Sequence, residues 1–316
     1  MLKIGIIGLN SGNGHPISYS SIFNGYNKIY LKKYCKFALI KKYLPAEHKN
    51  KKNNIIPDAE ISTIWTQNKN LSKNIAKICN IKHISKSLNE MSKIVDAVIL
   101  ARDDYQNHIK MCDIFIKKKI PIFIDKLICD NPKDFKKFKI QSKNFIFMSA
   151  SSAGFTRDLK KKLKKKNKLI KETVFVTGFS RVNWARYAHH LLEGILTIYG
   201  LDIVKVRCIS FSKDKEIYEL IYKNGINVLL FFQKNLSLPI EINSYRINKK
   251  KMNLPYTDYF YSIKKMMFKF CQMVKQNKQI IDRNRMLFMS QIVIAGILSK
   301  QNNMSFYCPK NLKKLR

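Results

Sequence analysis

The chain has 316 residues, 46% of them hydrophobic and 11% aromatic, and a net charge of +39. Its length accommodates two domains with separate cores, and its composition excludes an intrinsically disordered chain. No apolar run reaches the roughly 20 residues that span a bilayer, and the opening MLKIGIIGLN leads into a Gly-rich turn rather than a cleavage site, so a cytoplasmic protein with no membrane span is expected.

So large a positive charge points at first to nucleic acid or an anionic membrane. It comes mainly from Lys, however, spread over the whole chain beside abundant Asn and Ile, the pattern an AT-rich coding sequence produces. Arg, whose planar fork suits bidentate contact with bases and phosphates, is scarce. No specific nucleic acid is therefore expected as a partner, and a basic nucleic-acid-binding protein is kept as the competing class. The seven cysteines, Cys35, Cys79, Cys112, Cys129, Cys208, Cys271 and Cys308, are scattered, odd in number and without a CxxC pair. They suit reduced thiols and indicate neither a metal site nor a disulfide framework.

In chain order, residues 2–9 read as a buried strand, 17–26 as a helix, and the polar Lys/Asn-rich stretch up to Pro57 as an insertion. Strand 60–66, helix 71–80, strand 82–85, helix 87–95, strand 96–102, a helix around 107–119, and strands 120–126 and 144–150 follow. This alternation predicts a Rossmann parallel sheet over residues 1–152, covered on both faces. The Lys-rich segment 158–171, apolar at 159, 163 and 169–170, predicts a helix with one buried edge. Strand-like runs at 172–179, 203–211, 217–223, 226–233 and 240–248, with a helix over 188–200 after the first, predict a mostly antiparallel open sheet within residues 153–316. Helices over 256–276 and 283–300 close the chain. The fold class is therefore α/β followed by α+β.

The segment GIIGLNSGNGHP (5–16) lies between the first strand and the first helix, where glycines allow a tight turn and N–H groups at the helix start attract a pyrophosphate. Gly8, Asn10, Gly12, Asn13, Gly14 and His15 are the candidate cofactor ligands there. Counting from Gly8, Asn10 and Asn13 stand where GxGxxG has its second and third glycines, and Gly12 and Gly14 restore the flexibility. A tight turn with no ligand is the competing reading. Gly8→Val is expected to block the pyrophosphate while leaving the fold intact. The second strand runs out at Trp65, Thr66, Gln67, Asn68 and Lys69 with no carboxylate for an adenosine 2′-hydroxyl. Thr66 and Gln67 are candidate contacts and Lys69 suits a 2′-phosphate, so NAD and NADP both stay open. Arg102 and Asp103, after the strand 96–102, are candidates for contact with cofactor or substrate, or for an ion pair with each other.

The stretch DAVILARDDYQNHIKMCDIFIKKKIPIFIDKL (96–127) resembles the fourth strand, helix and fifth strand of the glucose-fructose oxidoreductase and inositol dehydrogenase family, Gfo/Idh/MocA, which ends in Glu-Lys-Pro. The Lys is kept as Lys126, with Asp125 for Glu and Leu127 for Pro. WARYAHHLLEGI (184–195) resembles the family's active-site helix, with His190 three residues before Glu193, and residues 256–300 are similar to its last two helices. The resemblance thus covers nearly the whole chain. It implies a Rossmann domain holding NAD or NADP, and an open sheet whose exposed face binds substrate and often another subunit, hence a homo-oligomer. It also implies an oxidoreductase acting on a hydroxyl or carbonyl of a sugar or nucleotide-sugar, in carbohydrate metabolism such as surface-polysaccharide biosynthesis.

Under that resemblance His190 moves the hydroxyl proton, and Lys126, at a strand end facing the ligand crevice, contacts cofactor and reacting oxygen. Two residues depart from the family pattern. Arg186 replaces the usual acid four residues before the His, and Leu127 replaces the Pro. Tyr187 is a candidate substitute proton donor, Asp103 a candidate substrate contact, and Arg186 suits an anionic substrate or pairs with Glu193. Trp184 offers either a sugar-stacking surface or core packing. A catalytically silent dinucleotide-binding sensor remains the alternative to the enzyme.

Overall fold

The last four residues of β1 (Leu2–Ile7) are buried without alternation, as expected of a strand covered on both faces at the middle of a parallel sheet. The computed structural model describes residues 1–8, 12–49, 55–234, 240–247 and 250–315. Beside β1 lie β2 (Ala59–Trp65), β3 (His83–Ile84), β4 (Ala97–Leu100), β5 (Ile122–Asp125) and β6 (Phe147–Ala150), in the spatial order β3-β2-β1-β4-β5-β6. The pairs β1/β2, β1/β4, β2/β3 and β4/β5 are all parallel. This is the Rossmann strand order, in which ligands bind beyond the carboxyl ends of the strands where the order reverses, here between β1 and β4.

Crossovers are made by α1 (His15–Asn24), α2 (Lys28–Tyr34), α3 (Ala38–Lys49), α4 (Lys69–Ile78), α5 (Leu88–Met91), α6 (His108–Lys117) and α7 (Pro132–Gln141). The segment up to Pro57, read as an insertion, carries α2 and α3. Asn27 caps α2 by accepting from the N–H groups of Ile29 and Tyr30, and Leu31, Ile40 and Leu44 are buried. Lys28, Lys32, Lys33, Lys41 and Lys42 are exposed and hide the short apolar edge.

The chain divides into two units: Met1–Ile128, Phe138–Ser149 and Ile263–Ile281 form the first, and Cys129–Lys137, Ala150–Ser262 and Asp282–Arg316 the second. In the first, the side chain of Gln279 clamps the edge strand β6, accepting from Phe147 N–H at 3.2 Å and donating to Phe147 O at 2.9 Å.

After Ala150 the chain forms α8 (Arg157–Leu163) and α9 (Lys166–Glu172), two short helices where one was expected. Crowded like charges at Lys160, Lys161, Lys162, Lys164, Lys165 and Lys166 disfavour a continuous helix, and Lys165 leaves helical geometry with φ −117°. Then come β7 (Thr173–Arg181), α10 (Trp184–Tyr199), β8 (Ile203–Phe211), β9 (Lys215–Tyr222), β10 (Asn227–Gln233), β11 (Glu241–Arg246) and β12 (Lys251–Pro255). α11 (Tyr259–Lys275), α12 (Arg283–Gln301), β13 (Tyr307–Cys308) and β14 (Lys313–Lys314) end the chain. The sheet runs β12-β11-β7-β10-β9-β8-β13-β14, antiparallel except for the β7/β10 pair. α10 and α12 cover its inner face. On its outer face Phe175 stacks on Tyr245 at 4.4 Å and Phe179 on Phe231 at 5.0 Å. Among the described residues, no helix is long and apolar enough to cross a membrane.

Candidate active site

In the first unit the glycine-rich turn, α1 and the end of β5 converge on one buried carboxylate. Asp125 pairs with His15 Nδ1 through Oδ2, accepts from Tyr19 Oη at 3.0 Å and from Lys126 N–H at 2.9 Å, and is 1% exposed. Burial opposes its charge, but the charges of His15 and Lys126 and the bonds they donate outweigh it and hold Asp125 well below the usual carboxylate range. Tyr19 was not foreseen as part of this cluster. Its signal was its place four residues after His15, on the same face of α1.

The turn differs from expectation in its donors. His15 N–H is taken by Asn13 Oδ1 at 2.8 Å, Pro16 has no N–H, and Ile17 and Ser18 N–H both turn back to Gly14 O. The α1 N–H groups expected to attract a pyrophosphate are therefore engaged within the chain. What the turn presents instead is Gly12, at φ +80°, and the partly exposed His15 ring. Asn13 is buried, its amide 3.4 Å from Asp125 Oδ2. Asn10 lies outside the described residues. Gly8 serves packing as well as approach: a Cβ there would lie 2.2 Å from Pro16 Cγ and 3.2 Å from the Ala101 carbonyl. The expectation that Gly8→Val would spare the fold is corrected accordingly.

Lys126 is buried, and the residue after it, Leu127, is buried at φ +72°, a left-handed conformation that costs a non-Gly residue about 1–2 kcal/mol. The carbonyl of Leu127 accepts from His108 Nδ1 at 2.9 Å. Burial lowers the pKa of His108 against the opposing pull of Asp125 and the Leu127 carbonyl, so the ring is neutral with its proton on Nδ1. Proline, fixed near φ −65°, cannot adopt this turn, so Lys126 is set by a different backbone from the one a Glu-Lys-Pro motif makes.

At the end of β2, Thr66 Oγ1 donates to Asn68 O at 2.6 Å and meets Ser72 Oγ at 2.9 Å, so its hydroxyl shapes the loop. Gln67 Oε1 accepts from Arg102 Nη1 at 2.7 Å. The ion pair of Arg102 is with Asp104, not Asp103: Nε to Oδ1 at 2.7 Å and Nη2 to Oδ2 at 2.6 Å. Burial works against the Asp104 charge, yet Arg102 and Asn107 keep its pKa below the ordinary value. Asp103 is half-buried beside this pair, and Lys69, the first residue of α4, is exposed.

In the second unit Ser151 is the hub. Its Oγ lies 2.6 Å from His190 Nδ1 and its N–H donates to Glu193 Oε1 at 3.0 Å. His190 also packs against Tyr256, ring centroids 5.8 Å apart, and against Tyr187 at 5.2 Å. Together with Thr156, Ile240 and Leu254, His190 and Tyr256 line a shallow cavity. Glu193 is buried and bonded to Arg285 Nη2 at 2.7 Å, in place of the pairing with Arg186 that was one of the two readings of that arginine. Burial raises its pKa while Arg285 and the Ser151 N–H oppose the rise. Arg186 sits half-buried in the first turn of α10, its N–H capped by Asn183 Oδ1 at 3.1 Å.

Trp184 is a core residue, which removes the sugar-stacking role. It is 1% exposed, stacks on Tyr218 at 4.1 Å, donates from Nε1 to Val293 O, and abuts Gly296, where a Cβ would lie 2.5 Å from the indole.

No family model matches this chain, and no curated protein matches it by sequence. Among solved structures, scyllo-inositol dehydrogenase from Lactobacillus casei with bound NAD(H) and scyllo-inositol is similar at TM-score 0.73 and 12% identity, over 98% of this chain and 99% of that one. The chain has the two-domain fold of the Gfo/Idh/MocA dehydrogenases. Myo-inositol dehydrogenase from the same organism, in complex with NAD(H) and myo-inositol, is similar at TM-score 0.73 and 9% identity, covering 98% of this chain and 96% of that one. An oxidoreductase from Thermotoga maritima is similar at TM-score 0.70 and 16% identity, covering 99% of each chain.

Proposed function

We propose that the chain is an NAD(P)-dependent oxidoreductase that interconverts a hydroxyl and a carbonyl on a sugar or nucleotide-sugar. The observation that carries this reading is His190, held on α10 by Ser151 beside Tyr187 and Tyr256, in a fold whose solved neighbours bind NAD(H) together with an inositol. A dinucleotide bound on the first unit would supply the hydride acceptor or donor. The residues there suit it: the left-handed Gly12 allows close approach to a diphosphate, and Lys126 offers positive charge.

In the oxidation direction His190 would take the proton of the reacting hydroxyl on the second unit, and Lys126, at the end of β5, would hold the dinucleotide on the first, which when bound supplies hydride transfer. Tyr187, in ring contact with His190, can pass that proton on. Arg186 favours an anionic substrate, so a nucleotide-sugar of surface-polysaccharide biosynthesis is the chosen class. Seven free thiols, six of them buried, support a reducing, cytoplasmic setting. The apolar outer face of the second sheet, with Phe175 37% and Val174 55% exposed, supports a homo-oligomer in which a second copy covers it.

The test is binding and turnover measured separately. His190→Ala is expected to lower kcat by about 10² to 10⁴ while nearly preserving dinucleotide affinity, whereas Lys126→Ala is expected to weaken dinucleotide binding as well as turnover. Dinucleotide binding with no turnover of any sugar would move the chain to the silent sensor, which the non-proline turn at Leu127 favours. Absence of dinucleotide binding would remove the reading altogether.

A further inference from the structure

We infer that the dinucleotide is NADP(H), held at its 2′-phosphate by Lys69 at the start of α4. The inference rests on the proposed dinucleotide site and adds to it the choice of cofactor. An adenosine ribose with a bare 2′-hydroxyl needs an acceptor at the end of β2, ordinarily a carboxylate, whereas a 2′-phosphate needs donors and positive charge.

The acceptors near that position are engaged within the chain. Asn68 Oδ1 caps α4, accepting from Asn70 N–H at 2.8 Å and Leu71 N–H at 3.2 Å. Thr66 Oγ1 is held between Asn68 O and Ser72 Oγ, and Gln67 Oε1 is taken by Arg102. Of the two carboxylates after β4, Asp104 accepts from Arg102 through both oxygens and from Asn107 through Oδ2, and Asp103 is half-buried. The first turn of α4 holds no acidic residue. Exposed there instead are Lys69 and, one turn on along the same face, Lys73. A loop with no carboxylate, whose Thr66, Gln67 and Asn68 oxygens are engaged and whose charged exposed side chains are both lysines, recognises a dianion and offers a ribose hydroxyl little.

Calorimetry on the full chain with NADPH and NADH, and with adenosine 2′,5′-bisphosphate against its 3′,5′ isomer, tests this directly. The isomers carry the same charge, so they separate a placed Lys from the general basicity of the chain. NADPH is expected to bind at least about tenfold more tightly than NADH, and the 2′,5′ isomer more tightly than the 3′,5′. Lys69→Glu should bring the NADPH to NADH ratio to about one or below, while Lys69→Arg keeps it. Lys69 is exposed, so both variants are expected to fold, and matching thermal melts verify that. Equal or tighter binding of NADH, or equal binding of the two isomers, overturns the inference and leaves the dinucleotide reading standing. Binding of neither dinucleotide overturns both.

Discussion

Ser151 Oγ lies 2.6 Å from His190 Nδ1 and itself accepts from Ala153 N–H at 3.2 Å. A hydroxyl has two lone pairs, so with one occupied by that amide the other accepts from Nδ1–H, and a His190 that takes a substrate proton on Nε2 carries its own hydrogen on Nδ1. Ser151 is thus a positioning residue. Removing its hydroxyl forfeits a bond of about 0.5–1.5 kcal/mol, and Ser151→Ala should lower kcat by about tenfold with dinucleotide affinity unchanged. Nitrogen NMR of the His190 ring gives the independent readout: an Nδ1–H tautomer in the parent and a mixture in the variant. An Nε2–H tautomer in the parent would sink the assignment.

Leu127 tests the turn that sets Lys126. At φ +72° the left-handed backbone penalises any residue with a Cβ, so Leu127→Gly should be more stable than Leu127→Ala by about 1 kcal/mol, the reverse of the usual order. Both lose the buried leucine side chain and fall below the parent by about 1–5 kcal/mol. Leu127→Pro, which restores the family's residue type, should be the worst of the three, losing about 3 kcal/mol or more. Urea midpoints of the three variants decide it, and an alanine variant as stable as the glycine variant would refute the left-handed turn.

The two departures from the family pattern had different fates because one is local and the other is not. Leu127 for Pro was legible from the resemblance as a departure at one position, and the structure supplies the hand of the turn and the His108 contact. For Arg186, pairing with Glu193 seven residues along α10 was one of two readings, but Arg285, 92 residues away, takes that carboxylate. No local spacing carries such a pairing. Trp184 shows the same limit, since only the tertiary neighbours Tyr218, Val293 and Gly296 settle whether an indole packs or binds. The strands and long helices, by contrast, follow from apolar runs and were legible except where lysines outnumber the buried edge, as in α2 and α3.

Asp125 gives the acid limb of stability a named group. Its folded pKa is lowered, so the folded state binds that proton more weakly than the unfolded chain, whose Asp titrates near about 3.9. The stabilisation is therefore present above about pH 4 and is lost as pH falls below it toward the folded value. Asp125→Asn should be less stable than the parent by about 1–3 kcal/mol at neutral pH, with the gap narrowing below about pH 4. Denaturant titrations at several pH values measure the gap. A difference that stays constant from neutral pH to about pH 3 would show that an ionised Asp125 is not what holds His15 and Tyr19.

The net charge of +39 makes its own prediction, because charge alone and readout of sequence need different residues. Base recognition relies on guanidinium groups free to reach a groove, and here five of them are tied to carboxylates: Arg102 to Asp104, Arg157 to Asp258, Arg207 to Glu219, Arg246 to Glu172 and Arg285 to Glu193. The densest lysines stand on α8 and α9, helices of 7 residues each, too short to lay a recognition face along a major groove. Lysines in that arrangement attract phosphate without reading bases. Duplex DNA is accordingly expected to bind in about 0.15 M salt with a Kd of roughly 10⁻⁴ to 10⁻⁶ M, to weaken steeply as salt rises, and to show less than about tenfold discrimination among sequences. Fluorescence anisotropy with unrelated duplexes over a salt series measures all three quantities. Nanomolar binding to one sequence at that salt concentration would place the nucleic-acid class ahead of the dehydrogenase reading.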